Sequence, residues 1–361
     1  MLGVPPADPG GSVKRVTDRS HKEPVELSDQ PSGVNIAYLF IVHNNAGLVA
    51  RTIRKLDSGN ASFFIHVDRK SDLTDFQEAL CHPKGNVFFT KRRWSICWMG
   101  YSMVAATFEL MALARATGGD IGARFDYHVL LSGVDYPLKS SDEIEAVLAK
   151  SHPRNFLTYW KLHDLPDWLH KVEQFHYLDS KWHNQRGGPV FFGRINMPFY
   201  QIERIRRVAH RFLPERCLPL GMVPYGGSQW WMLTADAVNY VLDQVSKHPS
   251  IPRFFRFTHS PDELTFQTIL MNSPFKDTIE GESDYGAFID AWKGGGDPDF
   301  VTQHVRKANL RYIDWDKDRE FPSILDERDH VGIMESGSLF GRKMDPVRSE
   351  RLLGMIDGSP Q

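Results

Sequence analysis

Ser260-Pro-Asp-Glu263 sets two carboxylates side by side at what reads as a helix start. Ser at the N-cap, Pro at the first helical position and Glu at the third form a capping box, which alone accounts for these residue types. The same geometry would aim the Glu263 carboxylate at a pocket, where it can take a proton from a hydroxyl. Asp314-Trp-Asp316, with Asp318 beyond, spaces carboxylates as a divalent cation wants them. Asp297-Pro-Asp299 has the same spacing, so at least one of the two matches is accidental. Arg342-Lys343 follows the apolar Leu339-Phe340 and joins a bidentate guanidinium to a point charge, a pairing suited to a diphosphate. Two adjacent cations near a chain end are as readily plain surface. The sequence has no Walker motif, GxGxxG, HExxH or GxSxG. That weighs against phosphate-loop NTPases, dehydrogenases, zincins and serine hydrolases.

These residues must be positioned by the elements around them. Ile36 to His43 is a near-continuous apolar run, as in a strand buried on both faces. Ala46 to Leu56 has helical spacing, Ser62 to Val67 is a second buried strand, and Asp72 to Leu80 reads as a helix. Asn86 to Thr90, Tyr101 to Ala116 and Tyr127 to Gly133 continue as strand, helix and strand. Ser140 to Lys150 is a helix with a Ser140-x-x-Glu143 capping box. This alternation predicts βαβ units around a parallel sheet, with ligands beyond the carboxyl ends of the strands. His43, Asp68 and the Ser132-Gly-Val-Asp135 turn are the residues placed there. After Pro166 the regularity fades. Gln201 to Phe212 reads as an amphipathic helix with a basic face, which suits solvent or a peripheral membrane contact. Gly226 to Leu233 is a loop entering a strand, and helices are expected over Ala235 to Val245 and Ser260 to Met271. Asn309 to Asp345 alternates short strands with polar turns.

The 361 residues have a net charge of −2, which gives no electrostatic case for nucleic acid. Three dispersed cysteines, Cys81, Cys97 and Cys217, support neither a disulfide framework nor a cysteine zinc site, and a reducing compartment fits them. No apolar run reaches the roughly 18 residues of a membrane span. Residues 1–33, rich in Pro and Gly and without a signal-peptide hydrophobic region, read as a disordered tail, which makes the cytoplasm the default location.

Seven stretches in this order resemble the core-2/I-branching β-1,6-N-acetylglucosaminyltransferase and peptide xylosyltransferase family, glycosyltransferase family 14. They are Ile65-His-Val-Asp-Arg-Lys70, Trp98-Met-Gly100, Leu131-Ser-Gly-Val-Asp-Tyr-Pro137, Gly227-Ser-Gln-Trp-Trp231, Ser260-Pro-Asp-Glu263, Leu310-Arg-Tyr-Ile-Asp-Trp-Asp316 and Leu339-Phe-Gly-Arg-Lys343. The resemblance implies an α/β fold of GT-A type, with residues 34–160 a nucleotide-sugar-binding half and 161–345 an irregular acceptor and catalytic half. Residues 346–361 are left as a C-terminal tail. It also implies an inverting, metal-independent transfer from a UDP-sugar, with no cofactor, to a glycan, polysaccharide or other hydroxyl-bearing acceptor.

By the same resemblance Glu263 is the catalytic base, and Val42 and Asp68 hold the uridine. Trp98 lines the donor site, and Ser228 and Gln229 contact the donor sugar or diphosphate. Arg342 and Lys343 bind the diphosphate, and a further diphosphate-binding Arg of some members falls at Arg319. Asp314-Trp-Asp316 drops as a metal site, because it lies far downstream of the nucleotide-binding half; Tyr312, Asp314 and Trp315 shape the acceptor side instead, or form a structural turn. Two departures stand out: Met99 replaces the second residue of the commoner WGG, and Gln229 stands where xylosyltransferases tend to carry Asp. The competing readings are a metal-dependent transferase using Asp314 and Asp316, and a non-catalytic sugar- or nucleotide-binding protein. A regulatory Rossmann-like module is weaker still, because the glycine fingerprint is missing.

Overall fold

The computed structural model describes residues 33–81, 84–120, 124–176, 178–179, 216–280, 308–314 and 322–358, with the backbone of 191–192 and 195–196. Residues 1–32 of the expected tail, the basic helix over 201–212, Trp315, Asp316, Asp318, Arg319 and the Asp297-Pro-Asp299 stretch lie outside these residues.

The chain opens with β1 (Ile36–Val42), α1 (Ala46–Leu56), β2 (Ala61–Val67), α2 (Leu73–Ala79), β3 (Val87–Phe89), α3 (Tyr101–Asp120) and β4 (Tyr127–Ser132). Then come β5 (Asp135–Pro137), α4 (Ser141–Ser151), β6 (Phe156–Leu157), β7 (Trp160–Lys161) and α5 (Pro166–Glu173). The hairpin strands β8 (Phe191–Phe192) and β9 (Ile195–Asn196) precede β10 (Tyr225–Gly226) and β11 (Trp231–Thr234). Three helices follow, α6 (Ala235–Lys247), α7 (Ser250–Phe255) and α8 (Thr265–Met271). β12 (Arg311–Ile313), α9 (His330–Glu335), β13 (Phe340–Arg342) and α10 (Glu350–Ile356) close the described chain.

The main sheet has the order β3-β2-β1-β4-β11-β6. β1 pairs in parallel with β2 and with β4, and β2 in parallel with β3. β11 enters antiparallel to both β4 and β6. This is the α/β arrangement expected from the alternation, of the GT-A-like type that the resemblance implies, and its strand order reverses between β1 and β4, where ligand crevices form.

Burial explains why β1 carries no polar residue. Ala37, Leu39 and Ile41 pack with Val104, Leu110 and Met111 of α3 on one face. Ile36, Tyr38, Phe40 and Val42 pack with Val49, Ile53 and Leu56 of α1 on the other. Strand side chains alternate between faces, so a strand covered on both sides reads as a near-continuous apolar run.

The two halves expected to meet near residue 160, as parts of one domain, share a sheet. β11, from the later part of the chain, completes the main sheet, and β12-β13-β5 form a small sheet in which β5 pairs antiparallel with β13. Residues 33–361 therefore cluster as one compact unit. The stretch expected as a C-terminal tail instead contains α10. Its Leu352 and Leu353 are buried with Tyr136, Leu325 and Ile333 in a third apolar cluster. Asp357, just past its end, pairs with Arg51 and Lys55 of α1 and accepts from the Tyr136 hydroxyl.

Candidate active site

At the carboxyl end of β1 the Val42 carbonyl accepts from Asp68 N at 2.8 Å, which joins the ends of β1 and β2. Arg93 fixes the turn that follows, donating to the Val67, Asp68 and Ser71 carbonyls. The buried Asp68 carboxylate accepts from Lys70 N at 2.9 Å and pairs with Lys70 Nζ at 3.2 Å. Lys70 Nζ also donates to the Ile96 carbonyl, which ties this corner to the loop carrying Trp98. Trp98 is 52% exposed, so its ring is open for stacking. Met99 stands at φ 62, and a Cβ on Gly100 would come within 2.3 Å of Asp179 Oδ1. Asp179 comes close because its carboxylate accepts from Ser102 N and Oγ at the start of α3.

The Met99 carbonyl in turn accepts from Ser260 N at 3.1 Å. This contact overturns the expected helix start. Ser260 sits at φ 48, ψ 55 and makes no cap; its Oγ lies 3.0 Å from His259 Nδ1. Pro261–Glu263 is a single 3-10 turn, and the α-helix begins only at Thr265. Glu263 is anchored by its backbone, whose carbonyl accepts from Gly227 N at 2.8 Å. Gly227 is required there, because a Cβ would stand 1.8 Å from the Thr158 carbonyl oxygen. The Glu263 side chain is 41% exposed, and its Oε2 accepts from Lys171 Nζ of α5 at 3.2 Å. Lys171 itself lies 4.4 Å from the Trp168 ring centre.

Gly227 leads through Ser228 and Gln229 to Trp230. The Ser228 carbonyl accepts from Gln267 of α8 at 2.6 Å, and Gln229 Nε2 is buried without a hydrogen-bond partner among the described residues. The Arg342 guanidinium lies 4.5 Å from the Trp230 ring centre. β13 places Arg342 opposite Asp135 of β5, and its Nη1 donates to Ser132 Oγ and reaches Asp135 Oδ2 at 3.3 Å. Burial lowers the Arg342 pKa, and the Asp135 charge works against that. His43 closes the ring. Its pKa falls chiefly through burial, with Asp68 raising it and Lys70 and Arg342 lowering it, so all three charges bear on one place.

The structure thus gathers Val42, Asp68, Trp98, Ser228, Gln229, Glu263 and Arg342 around linked loops, with Lys343 directly after Arg342. Lys343 is held by its backbone between Ser323 and Leu325. Tyr312 is elsewhere: it is buried in the third apolar cluster. Asp314 accepts through its carbonyl from Ser323 N at 3.0 Å. Among the described residues no group of three or more His, Cys, Asp or Glu side chains stands where it could hold a metal ion.

Three acids compete for the role of base. Asp135 is 1% exposed and already accepts from Ser132 N at 2.6 Å, from Ser132 Oγ and from Arg342. Asp262 is buried, and burial, then the neighbouring Glu263 charge, push its pKa up to about 7. Glu263 alone of the three shows its carboxylate to solvent. Sequence spacing could not reveal Lys171 as its partner, since nothing local links residue 171 to 263. A separate cavity of about 700 Å³, lined by Arg51, Lys55, Tyr136, Lys139, His330 and Asp357 among others, includes none of these site residues. No described helix is long and apolar enough to cross a membrane.

Comparison with known proteins matches the core-2/I-branching enzyme family model over residues 36–333. Xylosyltransferase 2 of Rattus norvegicus is 29% identical over 266 residues, 70% of this chain and 26% of that protein. Xylosyltransferase 2 of Bos taurus is 25% identical over 338 residues, 90% of this chain and 33% of the relative. Xylosyltransferase 1 of Canis lupus familiaris is 25% identical over 339 residues, 90% and 30% respectively. The chain spans about a third or less of the length of these relatives. With a family model that covers the sheet, the Glu263 turn and the Trp230 loop in one continuous match, the chain belongs to the core-2/I-branching enzyme family.

Proposed function

We propose that this chain is an inverting glycosyltransferase that moves a sugar from a UDP-sugar to an acceptor hydroxyl. The observation that carries the reading is the exposed Glu263 carboxylate, beside a loop that runs directly to the half-buried cation Arg342. Glu263 takes the acceptor proton as the hydroxyl oxygen attacks the anomeric carbon from the face opposite the diphosphate. The bond from that carbon to the diphosphate oxygen breaks, and its electron pair leaves on UDP. Arg342 and Lys343 stabilise that charge and do the work a metal ion does in other transferases. Asp68 and Val42, at the ends of β2 and β1, receive the uridine, and Trp98 flanks the donor. The names of the relatives put xylose first as the donor sugar, ahead of N-acetylglucosamine.

The test is donor hydrolysis and transfer across a panel of UDP- and other nucleotide-sugars, with and without EDTA. Turnover of a UDP-sugar unaffected by chelator is the expected result. Activity lost in EDTA and restored by manganese would return Asp314 and Asp316 to a metal site. Binding with no turnover of any donor, across a panel of glycan and peptide acceptors, would make the protein a sugar-nucleotide binder.

A further inference from the structure

Arg311, at the start of β12, is one of the largest fully buried side chains of the protein. Its Nε lies 3.1 Å from Asp135 Oδ1, and its Nη2 donates to the Leu130 carbonyl at 3.0 Å. Nη1 is buried with no hydrogen-bond partner among the described residues. Asp135 is therefore shared: one oxygen faces Arg311 and the other holds Arg342. The Trp230 ring lies beside both guanidiniums, 4.9 Å from Arg311 and 4.5 Å from Arg342. Burial pushes the Arg311 pKa down to about 10, and the Asp135 charge works against that fall, so the side chain keeps its proton at neutral pH.

Two guanidiniums and one carboxylate leave a net charge of +1. Paired with Asp135 alone, Arg342 would belong to a neutral unit with little pull on a diphosphate. Burying a second charged Arg is costly for a fold, and a well-packed apolar side chain often serves stability as well or better. A role in packing therefore does not account for a guanidinium here.

We propose that Arg311 is a positioning and charge-setting residue of the donor site: it occupies one side of Asp135, so that Arg342, held on the other, presents a net positive charge to the donor's diphosphate. The inference rests on the donor-site reading given above. At the effective dielectric of a partly buried site, one unit charge several ångströms away changes anion affinity by roughly 10–50-fold.

UDP binding is measured by calorimetry on the full chain. Arg311→Met should weaken it roughly 10–50-fold and raise the donor KM, with the acceptor KM unchanged. Arg311→Lys, which keeps the charge, should stay within about threefold of the parent. Adding Asp135→Asn to Arg311→Met restores the net charge and should recover most of the lost affinity, a rescue that a packing role does not predict. If Arg311→Met does not fold, Arg311→Gln, which keeps a polar group but no charge, should show the same loss. Parent-like UDP binding by the uncharged variant, or a double variant no better than the single one, overturns the inference. Arg342→Ala run in parallel separates the failures. If it too leaves UDP binding intact, the donor-site reading is at fault; if it alone weakens binding, only the role of Arg311 falls.

Discussion

Glu263→Gln separates proton transfer from everything else this residue does. The backbone contribution, the carbonyl that accepts from Gly227 N, is untouched by the change. The side chain keeps its shape and an oxygen that can still accept from Lys171 Nζ, 3.2 Å away in the parent. What is lost is an ion pair in which the Glu263 side chain is 41% exposed and the Lys171 side chain 13%. With the carboxylate partner open to water such a pair contributes about 0–1 kcal/mol, so the melting temperature should move by no more than roughly 2–4 °C. The amide cannot take a proton from the acceptor. Loss of a general base costs roughly 10²–10⁴-fold in rate, about 3–5 kcal/mol of barrier. The expected pattern is a fall of that size in kcat with UDP affinity and fold nearly unchanged, read from initial transfer rates, calorimetry and thermal unfolding. Transfer at near-parent rates by a folded Glu263→Gln protein would refute the assignment. Neither neighbour would then inherit the role easily, because Asp135 is enclosed by its donors and Asp262 is buried.

Lys343→Ala should weaken UDP binding by about 1.5–3 kcal/mol, the range for hydrogen bonds to charged groups; calorimetry showing parent affinity would remove Lys343 from the donor site. Asp262 gives a pH prediction. Burial, then Glu263, raise its folded pKa to about 7, so its contribution to stability is full below the unfolded value near 4 and is lost as pH rises toward 7. Asp262→Asn removes that dependence, so its melting temperature relative to the parent should climb between pH 4 and pH 7 and level off above; a constant difference would contradict the shift. Gly227→Ala places a Cβ 1.8 Å from the Thr158 carbonyl oxygen and should cost about 3 kcal/mol or more in thermal unfolding, whereas an unchanged melting temperature would show that the loop can give way.

Elements held by their own residues were legible, and those held by distant ones were not. β1 reads as a doubly buried strand because all seven of its residues are buried. α1 was placed at its observed limits, Ala46–Leu56, from the spacing of its apolar residues alone. The β5-β13 pairing joins Asp135 to Arg342 across most of the chain, and no local pattern announces it. α10 is a short helix fixed by burial of Leu352 and Leu353 and by the pairing of Asp357 with α1, so its sequence alone reads as a tail. Met99 shows a departure acquiring a physical meaning. At φ 62 the backbone favours glycine, which accounts for WGG as the commoner form, and Met is accommodated here at a cost in strain.

The most instructive contrast lies between two copies of one local pattern. Ser140-x-x-Glu143 and Ser260-x-x-Glu263 both read as capping boxes, and only the first is one. At Ser140 the backbone is extended, and Glu143 Oε2 reaches back to accept from Ser140 N at 2.8 Å. At Ser260 the amide is taken by the Met99 carbonyl, and the residue is forced to positive φ. With that amide already satisfied, Glu263 has no N-cap to bond. Its carboxylate extends instead to Lys171 and to solvent. A cap and a base place opposite demands on a carboxylate, since one is used up by its own helix and the other must remain open to an acceptor. The loop that carries Trp98 resolves the conflict by supplying the Met99 carbonyl. The Trp98 loop thus holds the Glu263 turn in the form that leaves its side chain open to solvent, as the proposed base requires.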